Sequence, residues 1–222
     1  MGPAGTPASP NPRSALPPPD RCTDLFYLFC GLAISRFCWL APGTRMRWFW
    51  IDRFTAFERG RRATAIRTVT VNCDYVDGYF PDYPVLSPAF VLEGFAQMGG
   101  LLISEPSGFR RNLVLAKVSR CRILHYARPG DCLDYEVFLE NLQPEGGFVR
   151  ATSHRAGQLQ AEAELTFAQV SREIIDRDFF EPVGLLRMLR IYRLYDVGVD
   201  EHGQPLHIPP HLLDAEQASL GR

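Results

Sequence analysis

GYFPDYPVLSPAFVLEGFAQMGG, residues Gly78 to Gly100, sets a proline-punctuated approach against a long apolar run. Pro81, Pro84 and Pro88 exclude regular helix until the last of them, because proline lacks the N–H and its ring collides with the preceding turn. Pro88 suits a first helical position and Ser87 an N-cap, which predicts a helix from Pro88 to about Glu105. Val91, Phe95, Met98 and Leu102 fall at helical spacing, but Phe90, Leu92, Leu101 and Ile103 are apolar too, and a helix apolar nearly all round is a buried one. Glu93 is the acid within that run, where a carboxylate is costly unless paired or protonated, so it marks a pocket. Gln97, one turn on, shares its face and is placed to hold it by a hydrogen bond.

Around this helix the texture is that of strands. MRWFWIDRF (Met46 to Phe54) and RATAIRTVTVNC (Arg62 to Cys73) carry aromatic and β-branched residues on either side of a turn at RGRR, Arg59 to Arg62. Four more strands are predicted at Leu113 to Leu124, Cys132 to Leu142, Gly147 to His154 and Gln158 to Val170. Turns are read at Pro129-Gly130, PEGG and RAGQ. The expected fold is α+β, an antiparallel sheet wrapped around one long buried helix.

The chain has 222 residues, 46% of them hydrophobic, enough for one substantial domain with extensions. Its 24 basic and 25 acidic residues nearly cancel, leaving no overall field to hold nucleic acid or an anionic membrane. Cys22, Cys30, Cys38, Cys73, Cys121 and Cys132 form no C-x-x-C pair and keep no close histidine, so zinc and thioredoxin-type readings fail on spacing. They read as reduced thiols of a cytoplasmic protein, with a disulfide framework as the alternative that an even count permits.

Four regions follow from composition. Residues 1–21, rich in Pro, Gly, Ala and Ser, read as a disordered tail, and residues 22–45 as a hydrophobic extension. Within that extension the uncharged run Leu25 to Ser35 is 11 residues long, too short to span a bilayer, and Arg13 and Arg21 are offset by Asp20 and Asp24, so neither anchor nor secretory signal is read. Residues 46–170 hold the sheet and helix, and residues 171–222 the remainder. There EPVGLLRMLRIYRLYDVG (Glu181 to Gly198) reads as an amphipathic helix with Leu185, Leu186, Leu189 and Tyr192 on one side and Arg187, Arg190 and Arg193 on another. The end reads as a polar tail, whose His202, His207 and His211 suit no ligand spacing and belong to a solvated loop.

The quoted segment resembles the signature of the β-hydroxyacyl-(acyl carrier protein) dehydratases of the FabZ and FabA type: His-Phe-Pro, two residues, Pro-Val, a hydrophobic residue, Pro-Gly, then Glu or Asp, then Ala-Gln. Phe80, Pro81, Pro84, Val85, Glu93, Ala96 and Gln97 match it in register. LAKVSRCRILHYARPGD and LQAEAELTF resemble the family's later strands and MRWFWIDRF its first, so the resemblance covers about Met46 to Val170. It implies a hotdog fold, a homodimer or heterodimer, acyl carrier protein or acyl-CoA thioesters as substrate or partner, and neither metal nor organic cofactor. It also implies that a histidine base takes the α-proton, that the carboxyl of Glu93 handles the departing hydroxyl, and that a peptide N–H at the helix start polarises the thioester carbonyl.

Two positions depart from that pattern. Tyr79 stands where the family has histidine, with the fourteen-residue step to Glu93 kept, and Ser87-Pro88 replaces Pro-Gly, removing an N–H. A tyrosine with an ordinary pKa near 10 donates a hydrogen bond more readily than it removes a proton. The resemblance therefore gives Glu93 and Tyr79 as catalytic positions and Phe80, Pro88, Ala89 and Gln97 as substrate-binding ones, with the Ala89 N–H as substitute carbonyl donor. His125, at a strand end, is the other candidate base. The rival readings are a catalytically degenerate binder of acyl chains or carrier protein, the subunit without histidine in a heterodimeric dehydratase, and a hotdog thioesterase. The arginine side of the C-terminal helix reads as a solvated face or as a dock for an acidic carrier protein.

Overall fold

The computed structural model describes residues 49–71, 83–170 and 180–221. The two N-terminal regions and the segment holding Tyr79 and Phe80 lie outside them. In chain order the elements are β1 (Arg53–Glu58), β2 (Arg62–Thr68), α1 (Pro88–Ser104) with a 3-10 turn at Glu105–Ser107, β3 (Leu113–Ile123), β4 (Cys132–Gln143), β5 (Gly146–Arg155), β6 (Gln158–Gln169), α2 (Pro182–Ile191), α3 (Leu194–Val197), β7 (Gly198–Val199) and α4 (Pro210–Leu220). The strands form one sheet in the order β3-β6-β5-β4-β2-β1-β7, antiparallel except where β7 runs parallel to β1. The α1 helix lies against β2 through β6, so the sheet wraps it in a hotdog fold. Among the described residues no helix is long and apolar enough to cross a membrane.

Alternation along the strands builds the concave face. Leu133, Tyr135 and Val137 of β4, Val149 and Ala151 of β5, and Ala161, Ala163, Leu165 and Phe167 of β6 are buried beneath the helix. Against them α1 sets Val91, Leu92, Phe95, Met98, Leu102 and Ile103, each worth about 2 kcal/mol when removed from water. Two glycines let the helix sit this low. A Cβ at Gly94 would come 2.6 Å from the Tyr135 ring, and one at Gly99 3.0 Å from both Phe167 and Val149.

Three expectations are corrected. Of the first predicted strand, residues 46–48 lie outside the described residues and residues 49–52 are not in strand, which runs Arg53–Glu58, because the Trp50 N–H is taken by the side chain of Gln97 on α1 and the Trp50 ring stacks on Phe90, 4.1 Å between centroids. The amphipathic helix does not continue through Gly198. The carbonyl of Tyr192 accepts from the Phe54 N–H of β1, and Arg193 turns left-handed at φ 54°, so the chain re-enters the core as α3 and β7. The polar tail is folded as well. Pro210 starts α4, Leu212 is buried, and Glu216 pairs with Arg190 of α2 in a double hydrogen bond.

Arg59, in the β1–β2 turn, is the clamp between these layers. Its Nε and Nη2 donate to the two carboxylate oxygens of Glu105 at 2.7 Å each, and its N–H donates to the carbonyl of Val199. Glu105 is 5% exposed, so Arg59→Met leaves a buried carboxylate alone and is expected to cost about 2–3 kcal/mol. Urea unfolding checks this, and the paired change Arg59→Met with Glu105→Leu should recover most of the loss.

Candidate active site

The α1 N-terminus forms as its sequence dictates. Ser87 caps it, Pro88 occupies its first turn, and the Leu86 N–H is anchored on the carbonyl of Ala127. The Ser87 hydroxyl accepts from the Ala89 N–H at 3.4 Å and the Ser87 carbonyl from the Phe90 N–H at 2.9 Å. Ala89 is exposed while Ser87 is buried. The Ala89 N–H is therefore held by a long bond that a better acceptor can displace, and Pro88 contributes none.

A turn further on, Glu93 is half-buried, and burial pushes its carboxyl up to about 7. Gln97 follows at the next turn. Its Oε1 accepts twice, from the Trp50 N–H at 3.1 Å and from the Tyr192 hydroxyl at 2.8 Å. Tyr192 is fully buried, and its phenol is held well above the usual range, first by burial and then by the nearby charges of Glu93 and Asp52, against the lowering effects of its backbone bond and of Arg67. Arg67 pairs with Asp52 at 3.0 Å and lies over the Trp50 ring, and Asp52 also accepts from the Thr68 N–H. Glu93 thus sits near a polar knot of Trp50, Asp52, Arg67, Gln97 and Tyr192 on an otherwise apolar helix.

Two cavities flank the helix ends, and Glu93 is among the lining residues of neither. One of about 340 Å³ is lined by Val71, Tyr83, Pro84, Arg128 and Pro129, and Val71 and Tyr83 are the residues between which the segment carrying Tyr79 leaves and returns. The other, about 150 Å³, lies between Phe109–Asn112, the start of α2 and His211 of α4. His125 is exposed just past the end of β3, and nothing described brings it to Glu93. The arginine side of α2 is partly neutralised, since Arg190 is held by Glu216. Among the described residues no group of three His, Cys, Asp or Glu could hold a metal, and neither Cys121 nor Cys132 is in a disulfide.

Sequence reasoning singled out Glu93 and Gln97 but not Trp50 and Tyr192, which donate to Gln97. The signal for Tyr192 was present: it is the one polar tip on the apolar side of its helix, and a buried tyrosine hydroxyl usually finds a partner.

The FabA-like domain model matches residues 42–164. The FabZ 3-hydroxyacyl-(acyl carrier protein) dehydratase of Bacillus velezensis is 37% identical over 120 residues, which cover 53% of this chain and 84% of that one. The FabZ of Halalkalibacterium halodurans is 36% identical over 119 residues, covering 53% and 85%. Among solved structures, the dehydratase heterocomplex ApeI:P from Xenorhabdus doucetiae aligns with TM-score 0.49 at 14% identity, over 64% of this chain and 89% of that one. A Streptococcus mutans UA159 protein bound to acetyl CoA aligns with TM-score 0.46 at 16% identity, over 59% and 98%. With its capped buried helix, its wrapped sheet and more than half of its length matched, the chain belongs to the FabA-like domain family.

Proposed function

We propose that this chain is a dehydratase of 3-hydroxyacyl thioesters carried on acyl carrier protein or coenzyme A, with Glu93 as its acid. The observation that supports this best is the carboxyl of Glu93, which burial raises to about 7 on the helix that carries the family motif. A group poised near neutrality is suited to general acid work. In the reaction a base removes the proton on the carbon next to the thioester, the electron pair forms the C=C bond, and the C–O bond of the 3-hydroxyl breaks. Glu93 gives its proton to that oxygen, and water leaves. The charge that develops on the thioester oxygen meets the Ala89 N–H once the Ser87 hydroxyl yields it.

The base is the step at which this chain departs from its relatives. Tyr79 occupies the position of the family's histidine, and an ordinary phenol would need about 4 kcal/mol to ionise near pH 7. That substitution favours a second reading, in which Glu93 faces the histidine of a partner subunit. β3 supports pairing of chains, since it is an edge strand of 11 residues bonded on one side to β6 among the described residues.

The test is hydration of a crotonyl thioester by the purified full chain, followed by loss of enoyl absorbance. Turnover by the wild type that falls at least about 100-fold in Glu93→Gln and in Tyr79→Phe establishes the tyrosine-dependent enzyme. Activity that appears only in mixtures with a histidine-bearing homologue establishes the second reading, whereas activity confined to Tyr79→His with Pro88→Gly means a dehydratase scaffold that has given up chemistry for binding. No activity in any combination overturns both, leaving a protein that binds acyl chains without turnover.

A further inference from the structure

We infer that the cavity beyond the C-terminal end of α1 is a binding site for a phosphate group, held by Arg110, Arg111 and His211. It is a site apart from Glu93, which is separated from Ser104 at the end of α1 by about 16 Å of helix. The inference does not depend on the dehydratase reading. Two of the three walls come from the C-terminal segment, beyond the residues 42–164 that the family model matches.

The first wall follows from how α1 ends. After the 3-10 turn, Gly108 and Phe109 both turn left-handed, φ 64° and 62°, and their N–H groups donate to the carbonyls of Glu105 and Ser104. Phe109 folds back against the core, and Arg110 and Arg111 come next at the cavity. The start of α2 makes the second wall and the start of α4 the third, where buried Leu212 anchors the helix and places His211 at the opening. The imidazole is close over the turn, its Cε1 3.6 Å from where a Cβ on Gly108 would stand.

The charges that meet here have one sign. No Asp or Glu lines the cavity, and Arg110 has neither an ion pair nor a hydrogen bond among the described residues. Arg111 donates to the carbonyl of Gln143. His211 registers the same field: burial, and then Arg110, hold its imidazole below the usual range, with Asp214 of α4 acting the other way. Glu181, before α2, is occupied in capping that helix through the N–H groups of Val183 and Gly184. The α4 helix starts without a side-chain cap, so its positive end adds to the cations. Like charges gathered this closely repel until an anion joins them, and guanidinium forks match the oxygens of phosphate. The cavity volume, about 150 Å³, equals that of about five waters, small for an acyl chain or a whole nucleotide but enough for one phosphate group.

The test is a titration of the full chain with inorganic phosphate, at an ionic strength held constant with sodium chloride and followed by NMR of the His211 imidazole. The expected result is a saturable shift that chloride does not give, with the His211 midpoint rising by about half a unit or more. The unfolding temperature should rise with phosphate by mass action. Arg110 is exposed, so Arg110→Gln is a mild change to the fold, and it should weaken binding at least about 10-fold. His211→Gln, read by the unfolding temperature, is the second variant and should lose most of the phosphate response. Adenosine monophosphate identifies the source: tighter binding than inorganic phosphate assigns the site to a nucleotide's phosphate, and equal or weaker binding to the free ion.

A response that does not saturate, one that chloride reproduces, or an affinity unchanged in Arg110→Gln would each overturn the inference. The chain also carries rival anions of its own in Glu173, Asp176 and Asp178, which lie outside the described residues and precede Phe180 at the cavity. Phosphate binding that appears only after these three are changed to Gln, Asn and Asn would refute the proposal, because the cavity would then be filled from within the chain.

Discussion

Glu93→Gln is expected to gain stability over the wild type as pH rises, the difference between the two growing by about 2–3 kcal/mol between pH 5 and pH 8. The sign comes from linkage. Burial raises the folded-state pKa of Glu93 from its usual 4.5 to about 7, so between those values the native protein holds a proton that the unfolded chain has released. Stability from this group is complete below about pH 4.5 and is lost as pH rises through 7. Glutamine cannot ionise and has no such loss. The carboxylates held low by partners, among them Glu58 beside Arg62 and Glu216 beside Arg190, act in the opposite direction, losing their contribution as pH falls. Both proteins share them, so they cancel in the comparison. Urea midpoints at several pH values measure the effect, and a difference that stays constant across the range refutes it. Activity should move the other way, since the proton that Glu93 retains at a cost in stability is the one its proposed role requires.

The parts of the fold that could be read from the sequence are those whose causes are local. Ser87-Pro88 and the apolar run after them gave the buried helix and its cap, and alternation with turn residues placed β3 to β6 within a residue or so of their ends. What could not be read depends on partners far along the chain. Phe49–Asp52 has strand-forming residues, yet Trp50 is drawn off the sheet by Gln97, 47 positions away. The helix break at Tyr192 has no proline or glycine to signal it; the cause is a carbonyl claimed by β1. In α4 the apolar pattern is nearly reduced to Leu212 and Leu213, and the helix is held by Glu216 on Arg190. The site divides in the same way. Glu93 and Gln97 stand out because a polar residue in an apolar helix demands a reason, whereas the Tyr192–Gln97 bond joins residues 95 apart that no local pattern connects.

Gly146→Ala is expected to destabilise the protein by at least about 3 kcal/mol, whereas Gly157→Ala should cost about 1 kcal/mol. Both glycines lie in hairpins marked by their sequences, PEGG between β4 and β5 and RAGQ between β5 and β6, and both have positive φ, +155° and +79°. Conformational strain alone therefore does not separate them. Space does. Nothing lies within 4 Å of a Cβ at Gly157, but one at Gly146 would fall 2.0 Å from the carbonyl oxygen of Phe167, with the Phe167 carbon at 2.9 Å. Those are backbone atoms of a paired strand, and they move only if β5 and β6 part. The Phe167 ring lies under Gly99 of α1, so the displacement would carry from the hairpin to the buried helix on which Glu93 stands. Chemical denaturation of the two variants side by side is the measurement. Equal losses would mean that the hairpin relaxes freely, and a selective loss in Gly146→Ala, with Glu93 titrating closer to its usual value as the helix loosens, would tie the turn to the acid it helps to bury.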